Sequence, residues 1–499
     1  MGTDEQQSEK VDSKHWETLD RDLNRISQLE LATAYVALPL VGPGIALAFI
    51  VLAGIAAAVL LGSAPVNYVV IVAAVFGAYM ALNIGANDVA NNMGPAVGAN
   101  ALTMGGAIVI AAIAESAGAL LAGGDVVSTI SKGIIHPQAV ATPNVFIWAM
   151  MAALVSSALW VNLATWIGAP VSTTHSVVGG VMGAGIAAAG LSAVNWATMS
   201  KIAASWVISP VLGGIIAALF LAIIKAKVIY QEDKIAAARK WVPILVGIMA
   251  GAFASYLALK GLKKIVKIDL HSALLIGLAF GVFSWMITRP LIARQSVGLE
   301  NRNKSLKILF RIPLVISAAL LSFAHGANDV ANAAGPLAAI VHASEFGDFA
   351  TKVAIPTWVM VIGAFGISFG LFLFGPKLIR MVGSQITKLN PMRAYCVSLS
   401  AAITVIVASW LGLPVSSTHI AVGAVFGVGF FREWHAENRL RKFALQRPAE
   451  LRIAPEERRR RKLVRRSHFM TIVAAWVITV PAAALLSGVT FWMLTTIIG

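Results

Sequence analysis

One unit occurs twice in this chain. GANDVANNMGP at 85–95 returns as GANDVANAAGP at 326–336, identical at nine of eleven positions, and TWIGAPVSTTH at 165–175 returns as SWLGLPVSSTH at 409–419, identical at seven. The offsets are 241 and 244, and a weaker third pair, ASWVISP at 204–210 and AAWVITV at 474–480, follows in the same order. A duplication that keeps motif order over this distance is a structural unit built twice, so the environment of one copy must serve the other.

That environment is lipid. Of 499 residues, 58% are hydrophobic and 12% charged, against about 45–50% and about 25% in an ordinary soluble domain. Apolar runs near 20 residues, each the length of a bilayer crossing, fall at 45–62, 67–96, 105–122, 144–167, 170–190, 202–224, 242–259, 271–288, 312–341, 353–374, 394–411, 414–430 and 469–498. Five spans at 67–224 match five at 312–498, and two lie between them. The displacement is odd, so the second copy is inverted, the plan of many secondary transporters whose site lies at the midplane where the copies meet. The expected fold is an all-α polytopic membrane protein of 12 to 13 transmembrane helices, with two inverted-topology repeats and broken helices at the midplane. Its parts are a cytoplasmic tail at 1–44, an extra span at 45–62, repeat 1 at 67–224, a two-span linker at 225–311, and repeat 2 at 312–498 with a basic loop at 432–468.

Charge sets the orientation. Lys and Arg number 39 against 23 Asp and Glu, a formal +16, and they concentrate at 225–241, 289–311, 375–393 and 432–468. Counting crossings puts these four loops on one side, which the positive-inside rule makes cytoplasmic together with the amino terminus. Loops 124–143 and 342–352 fall outside; loop 260–267, with four lysines, also counts as outside against the rule. The first 31 residues lack a secretory signal, and Trp16, Leu19, Leu23 and Ile26 have helical spacing that suits either a surface helix or a mobile tail. A multi-pass protein of the cell (inner) membrane is expected. The single Cys396 excludes an intramolecular disulfide and a Cys-rich metal site. The run 458–466 fits anionic lipid and topology control; without a nucleic-acid-binding fold or interleaved aromatics, no nucleic acid partner is expected. A homodimer is left open.

Within the spans no Lys or Arg occurs, and the only acids are Asp88, Glu115 and Asp329. A carboxylate in the membrane costs several kcal/mol unless paired, protonated or bound to a cation. Asn87, Asp88 and Asn91, and their counterparts Asn328, Asp329 and Asn332, bring hard oxygens together, and Gly94-Pro95 and Gly335-Pro336 are expected to interrupt the helices and free carbonyls for an alkali ion. Sodium at Asp88 and Asp329 is the expectation; a polar packing patch around a protonated Asp is the plainer alternative. The second motif suits an anion. Ser172, Thr173, Thr174 and Ser416, Ser417, Thr418 follow a proline and open a helix, where free N–H groups and the dipole hold an oxyanion without formal positive charge. Simple capping is the competing role. His175 and His419 donate to substrate, relay protons or fix the loop, and Glu115 joins them as a coupling or supporting residue. An oxyanion held without Lys or Arg needs cations, so the two motifs together describe cation-coupled symport. Gly179-x-x-x-Gly183 and Gly423-x-x-x-Gly427 mark close helix contacts.

GANDVANN and GANDVANA, with PVSTTH and PVSSTH, resemble the inorganic phosphate transporter (PiT) family over about residues 67–498. ESAGALLAGGDVVSTISKGII at 115–135 and GPKLIRMVGSQITKLNP at 375–391 resemble family segments too. The resemblance implies a secondary active symporter importing inorganic phosphate, with the Asn-Asp motifs serving cations and the Ser/Thr motifs phosphate. The Asn-Asp form is similar to the sodium-coupled branch, where the proton-coupled metal phosphate branch carries His-Asp. Two features depart from the family: the span at 45–62 is extra to the usual twelve, and Asn92-Met93 replaces an Ala-Phe type pair. A proton-coupled or sulfate symporter and, in another class, an anion channel are the alternatives. No enzyme constellation and no cofactor, beyond sodium or protons as coupling ions, is expected. With Cys396 replaced, single cysteines at Ser8, Ser344 and Ser467 test the orientation in intact cells: an impermeant thiol reagent should label only Ser344→Cys, and labelling at either other site would reverse it.

Overall fold

The computed structural model describes residues 40–60, 68–167, 171–261, 268–347, 355–385, 389–444 and 466–497. The pattern at 16–26, most of the four-lysine loop, Pro170 and the basic run as far as residue 465 lie outside the described residues. The chain forms two units, Met1–Val51 and Leu52–Gly499. The first is described only as the start of a helix, α1 (Leu40–Leu60).

The second unit runs through α2 (Tyr68–Asn87), α3 (Val89–Gly98), α4 (Met104–Ala122), α5 (Gly124–Lys132), α6 (Pro143–Ile167), α7 (Thr173–Ala189) and α8 (Trp196–Ile224). The linker helices are α9 (Lys234–Lys260), α10 (Leu270–Gln295) and α11 (Asn303–Leu309). Then come α12 (Arg311–Asp329), α13 (Ala331–Phe346), α14 (Thr357–Gln385), α15 (Pro391–Trp410), α16 (Ser417–Ala444) and α17 (Arg466–Ile497). Among the described residues there is no strand, only an isolated bridge between Ile135 and Val194. With no water to satisfy it, a backbone inside a bilayer closes its hydrogen bonds along the helix.

Among the described residues eleven helices are long and apolar enough to cross a membrane. The other two expected spans, 170–190 and 414–430, are the helices that start at the hydroxyl motifs. Of these α7 has 17 residues, and α16 turns charged in its second half. Their first turns are buried in the protein.

The structure corrects two expectations. The interruptions fall at Asp88, between α2 and α3, and at Val330, between α12 and α13, while Pro95 and Pro336 sit inside α3 and α13. Proline already has a helical φ; its cost is the missing N–H, which withdraws a bond from the carbonyls of Asn91 and Asn332 without ending the helix. The outer loop expected at 124–143 contains α5, whose Val126, Val127, Ile130 and Ser131 are buried and which packs on α13.

The copies exchange their partners. Helix α2 packs on α14 and α12 on α4; α7 packs on α17 and α8 on α16. Glycine makes these crossings possible. A Cβ on Gly85 would lie 1.9 Å from the Ile367 carbonyl oxygen, and one on its counterpart Gly326 would lie 2.1 Å from that of Glu115. The spaced glycines of the second motif act alike: Gly183 meets Ala484 and Gly427 meets Gly214 at backbone distance, as the sequence suggests. Gly326→Ala should therefore lower stability by about 1–3 kcal/mol in thermal melts of the purified protein. Gly105→Ala, where a Cβ meets nothing within 4 Å, should not.

Candidate functional site

The polar centre is assembled from α2–α3, α12–α13, α4 and the first turns of α7 and α16. Asp88 sits where α2 gives way to α3 and is buried. Its Oδ2 accepts the Thr173 hydroxyl at 2.6 Å and its Oδ1 that of Thr418 at 3.0 Å, so one carboxylate takes a donor from the hydroxyl motif of each copy. The amides cross over as well. Asn91 Nδ2 donates to Thr418 at 2.9 Å, and Asn332 Nδ2 to Thr173 at 3.3 Å and Thr174 at 3.2 Å. Asn87 donates to Thr165 at 2.8 Å, and Asn328 to Ser409 at 3.0 Å, holding each Asn-Asp turn against the helix that precedes its own hydroxyl motif.

The six hydroxyls therefore divide in their duties. Ser172 and Ser416 accept the N–H of His175 and His419 as N-caps of their helices. Thr174 donates to the Val415 carbonyl at 3.0 Å. Thr173, Ser417 and Thr418 remain at the centre. His175 and His419 face each other edge-on with ring centroids 4.4 Å apart, and Trp206 lies 3.8 Å from the His175 ring while donating to the Pro414 carbonyl. These contacts draw the two hydroxyl motifs together.

Repeat 2 contributes a residue that the charge count passed over. His325, on α12, has Nδ1 2.6 Å from Glu115 Oε2 and Nε2 2.9 Å from Asp329 Oδ2, all buried. Asn92 Nδ2 donates to the other Glu115 oxygen at 2.9 Å, so the residue that departs from the family pattern extends the chain Asn92–Glu115–His325–Asp329. Ligand atoms of Asp88, His325 and Asp329 lie within 4.8 Å of one another. The signal was present: His325 stands one turn before Asp329, where the first copy has Ile84. A basic side chain is thus at hand for two of the three acids, although none is Lys or Arg.

The donor set also suits a small cation. Among the described residues, Asp329 Oδ1, Asn332 Oδ1 and Ser417 Oγ are buried oxygens that find no hydrogen-bond partner. Oxygens left unbonded at this depth are costly unless something positive meets them.

Inverted copies meeting at a buried centre of acids, amides and hydroxyls define a membrane transport protein. Comparison with known sequences narrows the class. Residues 84–487 match the phosphate transporter family, and the chain belongs to it. A candidate phosphate permease of Helicobacter pylori (strain J99) is 45% identical over 522 aligned residues, which take in 94% of this chain and 98% of that one. The chloroplastic inorganic phosphate transporter 2-1 of Arabidopsis thaliana is 36% identical over 85% of this chain and 72% of its own. Among solved structures, a sodium-dependent phosphate transporter superposes with a TM-score of 0.78 at 35% identity, over 87% of this chain and all of that one.

Removing the Thr173 donor strands an oxygen of Asp88, at about 1–3 kcal/mol. Thr173→Val and Ser417→Ala should each weaken apparent phosphate affinity about tenfold in uptake titrations normalised to membrane abundance. Unchanged affinity in both would place the substrate elsewhere.

Proposed function

We propose that this chain imports inorganic phosphate across the cell membrane in symport with sodium, with its amino terminus and basic loops in the cytoplasm. The observation that carries the reading is Asp88, whose two oxygens are divided between the hydroxyl motifs of the two copies. Anything that binds one motif is felt at the carboxylate and by the other motif. The first turns of α7 and α16 supply N–H groups and hydroxyls for a tetrahedral oxyanion.

Charge counting then requires cations. Asp88, Glu115 and Asp329 bring up to three negative charges and His325 at most one positive charge, before phosphate adds its own. Sodium suits the amide and carboxylate oxygens of Asn87, Asp88 and Asn91 and of Asn328, Asp329 and Asn332, with the unbonded oxygens of Asp329, Asn332 and Ser417 as its first candidates. That the superposed solved transporter is described as sodium-dependent supports the same ion.

A second reading rests on His325. An imidazole with one carboxylate bonded at Nδ1 and a second within 2.9 Å of Nε2 can hold a proton where a second cation would otherwise sit, which is the chemistry of proton coupling. In proteoliposomes, labelled phosphate should enter under an inward sodium gradient and labelled sulfate should not. Asp88→Asn and Asp329→Asn should each abolish or strongly reduce that uptake with little change in abundance. Uptake unaltered when choline replaces sodium would refute sodium coupling and leave the proton reading; sulfate entry at the same rate would refute phosphate selectivity.

A further inference from the structure

Four consecutive carbonyls, those of Gly412, Leu413, Pro414 and Val415, lead from the end of α15 into the second hydroxyl motif, and each accepts a side-chain donor from a different helix. Thr129 on α5 reaches Gly412 at 2.7 Å, Asn328 on α12 reaches Leu413 at 3.1 Å, Trp206 on α8 reaches Pro414 at 3.0 Å, and Thr174 on α7 reaches Val415 at 3.0 Å. Asn328, Trp206 and Thr174 stand in duplicated motifs; Thr129 does not. Gly412 makes the Thr129 contact possible. Its φ of +67° ends α15 in a left-handed turn, closed by the Gly412 N–H to Ser409 and the Leu413 N–H to Ala408, and its own carbonyl is left for α5. A Cβ there would lie 3.4 Å from the Thr129 hydroxyl.

Helix α5 is itself anchored. Asp125, in its first turn, forms an ion pair with Lys260, the last residue of the linker helix α9, and their side chains are 41% and 16% exposed. Lys260 is the first of the four lysines in the loop that lies outside against the positive-inside rule, and the count of crossings puts loop 124–143 on the same side. A pair with one partner this open to solvent adds little stability. What it fixes is where α5 stands against the linker.

Repeat 2 lacks both groups. Gly118 and Gly370 make equivalent contacts, at the carbonyls of Phe323 and its counterpart Leu82, which sets α4 and α14 in register. In that register Asp125 corresponds to Lys377 and Thr129 to Met381, a reversed charge and a lost hydroxyl, and α14 runs on where the first copy breaks to start α5.

We propose that Thr129 and Asp125 are positioning residues for the second hydroxyl motif, an assignment that rests on that motif taking phosphate as proposed above. Thr129 holds the turn at Gly412 so that Ser417 and Thr418 meet the centre, where Thr418 donates to Asp88, and Lys260 anchors the helix that carries both residues.

In the full chain purified in detergent, amide hydrogen exchange over residues 411–419 is followed by mass spectrometry, and the same proteins are titrated for phosphate uptake in proteoliposomes. Thr129→Val should speed that exchange and raise the phosphate concentration for half-maximal uptake, each about fivefold for one lost hydrogen bond, with the maximal rate unchanged. Thr129→Ser should restore both. Asp125→Asn and Lys260→Gln should move both readouts in the same direction, and the swap Asp125→Lys/Lys260→Asp should recover them. If Thr129→Val does not fold, Lys260→Gln and the swap decide. Unchanged exchange in the variants would overturn the brace whatever the chain transports. Faster exchange with unchanged phosphate affinity would reduce Thr129 to a stability contact and overturn the positioning role. A wild type that takes up no phosphate would refute the proposed function instead, while the exchange comparison still decides whether α5 holds the motif.

Discussion

Three carboxylates buried where a membrane protein offers no lysine or arginine must find their partners among hydroxyls, amides and one imidazole, and much of the second unit is arranged to bring those partners in. Asp88 takes a hydroxyl from each copy of the second motif. That is possible only if the copies face each other across the centre. Facing copies must cross closely, and close crossing requires glycine where α2 meets α14 and where α12 meets α4. The inversion, the doubled motifs and the glycines therefore serve one electrostatic requirement.

The two copies meet this requirement differently. In repeat 1 both oxygens of Asp88 are occupied by threonine hydroxyls. In repeat 2 one oxygen of Asp329 lies 2.9 Å from His325 Nε2, and among the described residues neither its other oxygen nor the hydroxyl of Ser417, the counterpart of Thr173, has a hydrogen-bond partner. The same backbone plan thus presents a saturated carboxylate on one side and an open one on the other. The chain Asn92–Glu115–His325 reinforces the difference from behind.

Much of this was legible in the sequence because duplication and hydropathy leave strong signals. Asn87, Asp88, Asn91 and their counterparts stand in motifs that occur twice, and the Gly-x-x-x-Gly pairs sit where α7 and α16 meet α17 and α8. What was not legible has physical reasons. His325 counts as neither apolar nor charged at neutral pH, so a tally of formal charges passes over it. Helix α5, GDVVSTISK, is too short and too polar to register as an apolar run, and its burial comes from packing on α13. The interruptions missed Pro95 and Pro336 because proline is compatible with helical dihedrals when its neighbours hold the helix in place. The hydroxyl motifs were legible as a class, but the division of labour among Ser172, Thr173 and Thr174 depends on which way each side chain points once the helix has started.

The substitution of His325 for Ile84 between otherwise parallel motifs has a kinetic consequence. A carrier with identical halves would have end states related by a half-turn and equal in free energy, opening to either side with the same ease and holding its cargo equally well in both. The imidazole, together with the exchanges of Asn92 for Ala333 and Thr173 for Ser417, lifts that degeneracy. Gradients alone still decide the direction of net flux, because no asymmetry in a protein shifts an equilibrium between two compartments. The imidazole instead gives the two end states unequal affinities for cargo, so that loading and release proceed at different rates on the two sides while the process stays reversible.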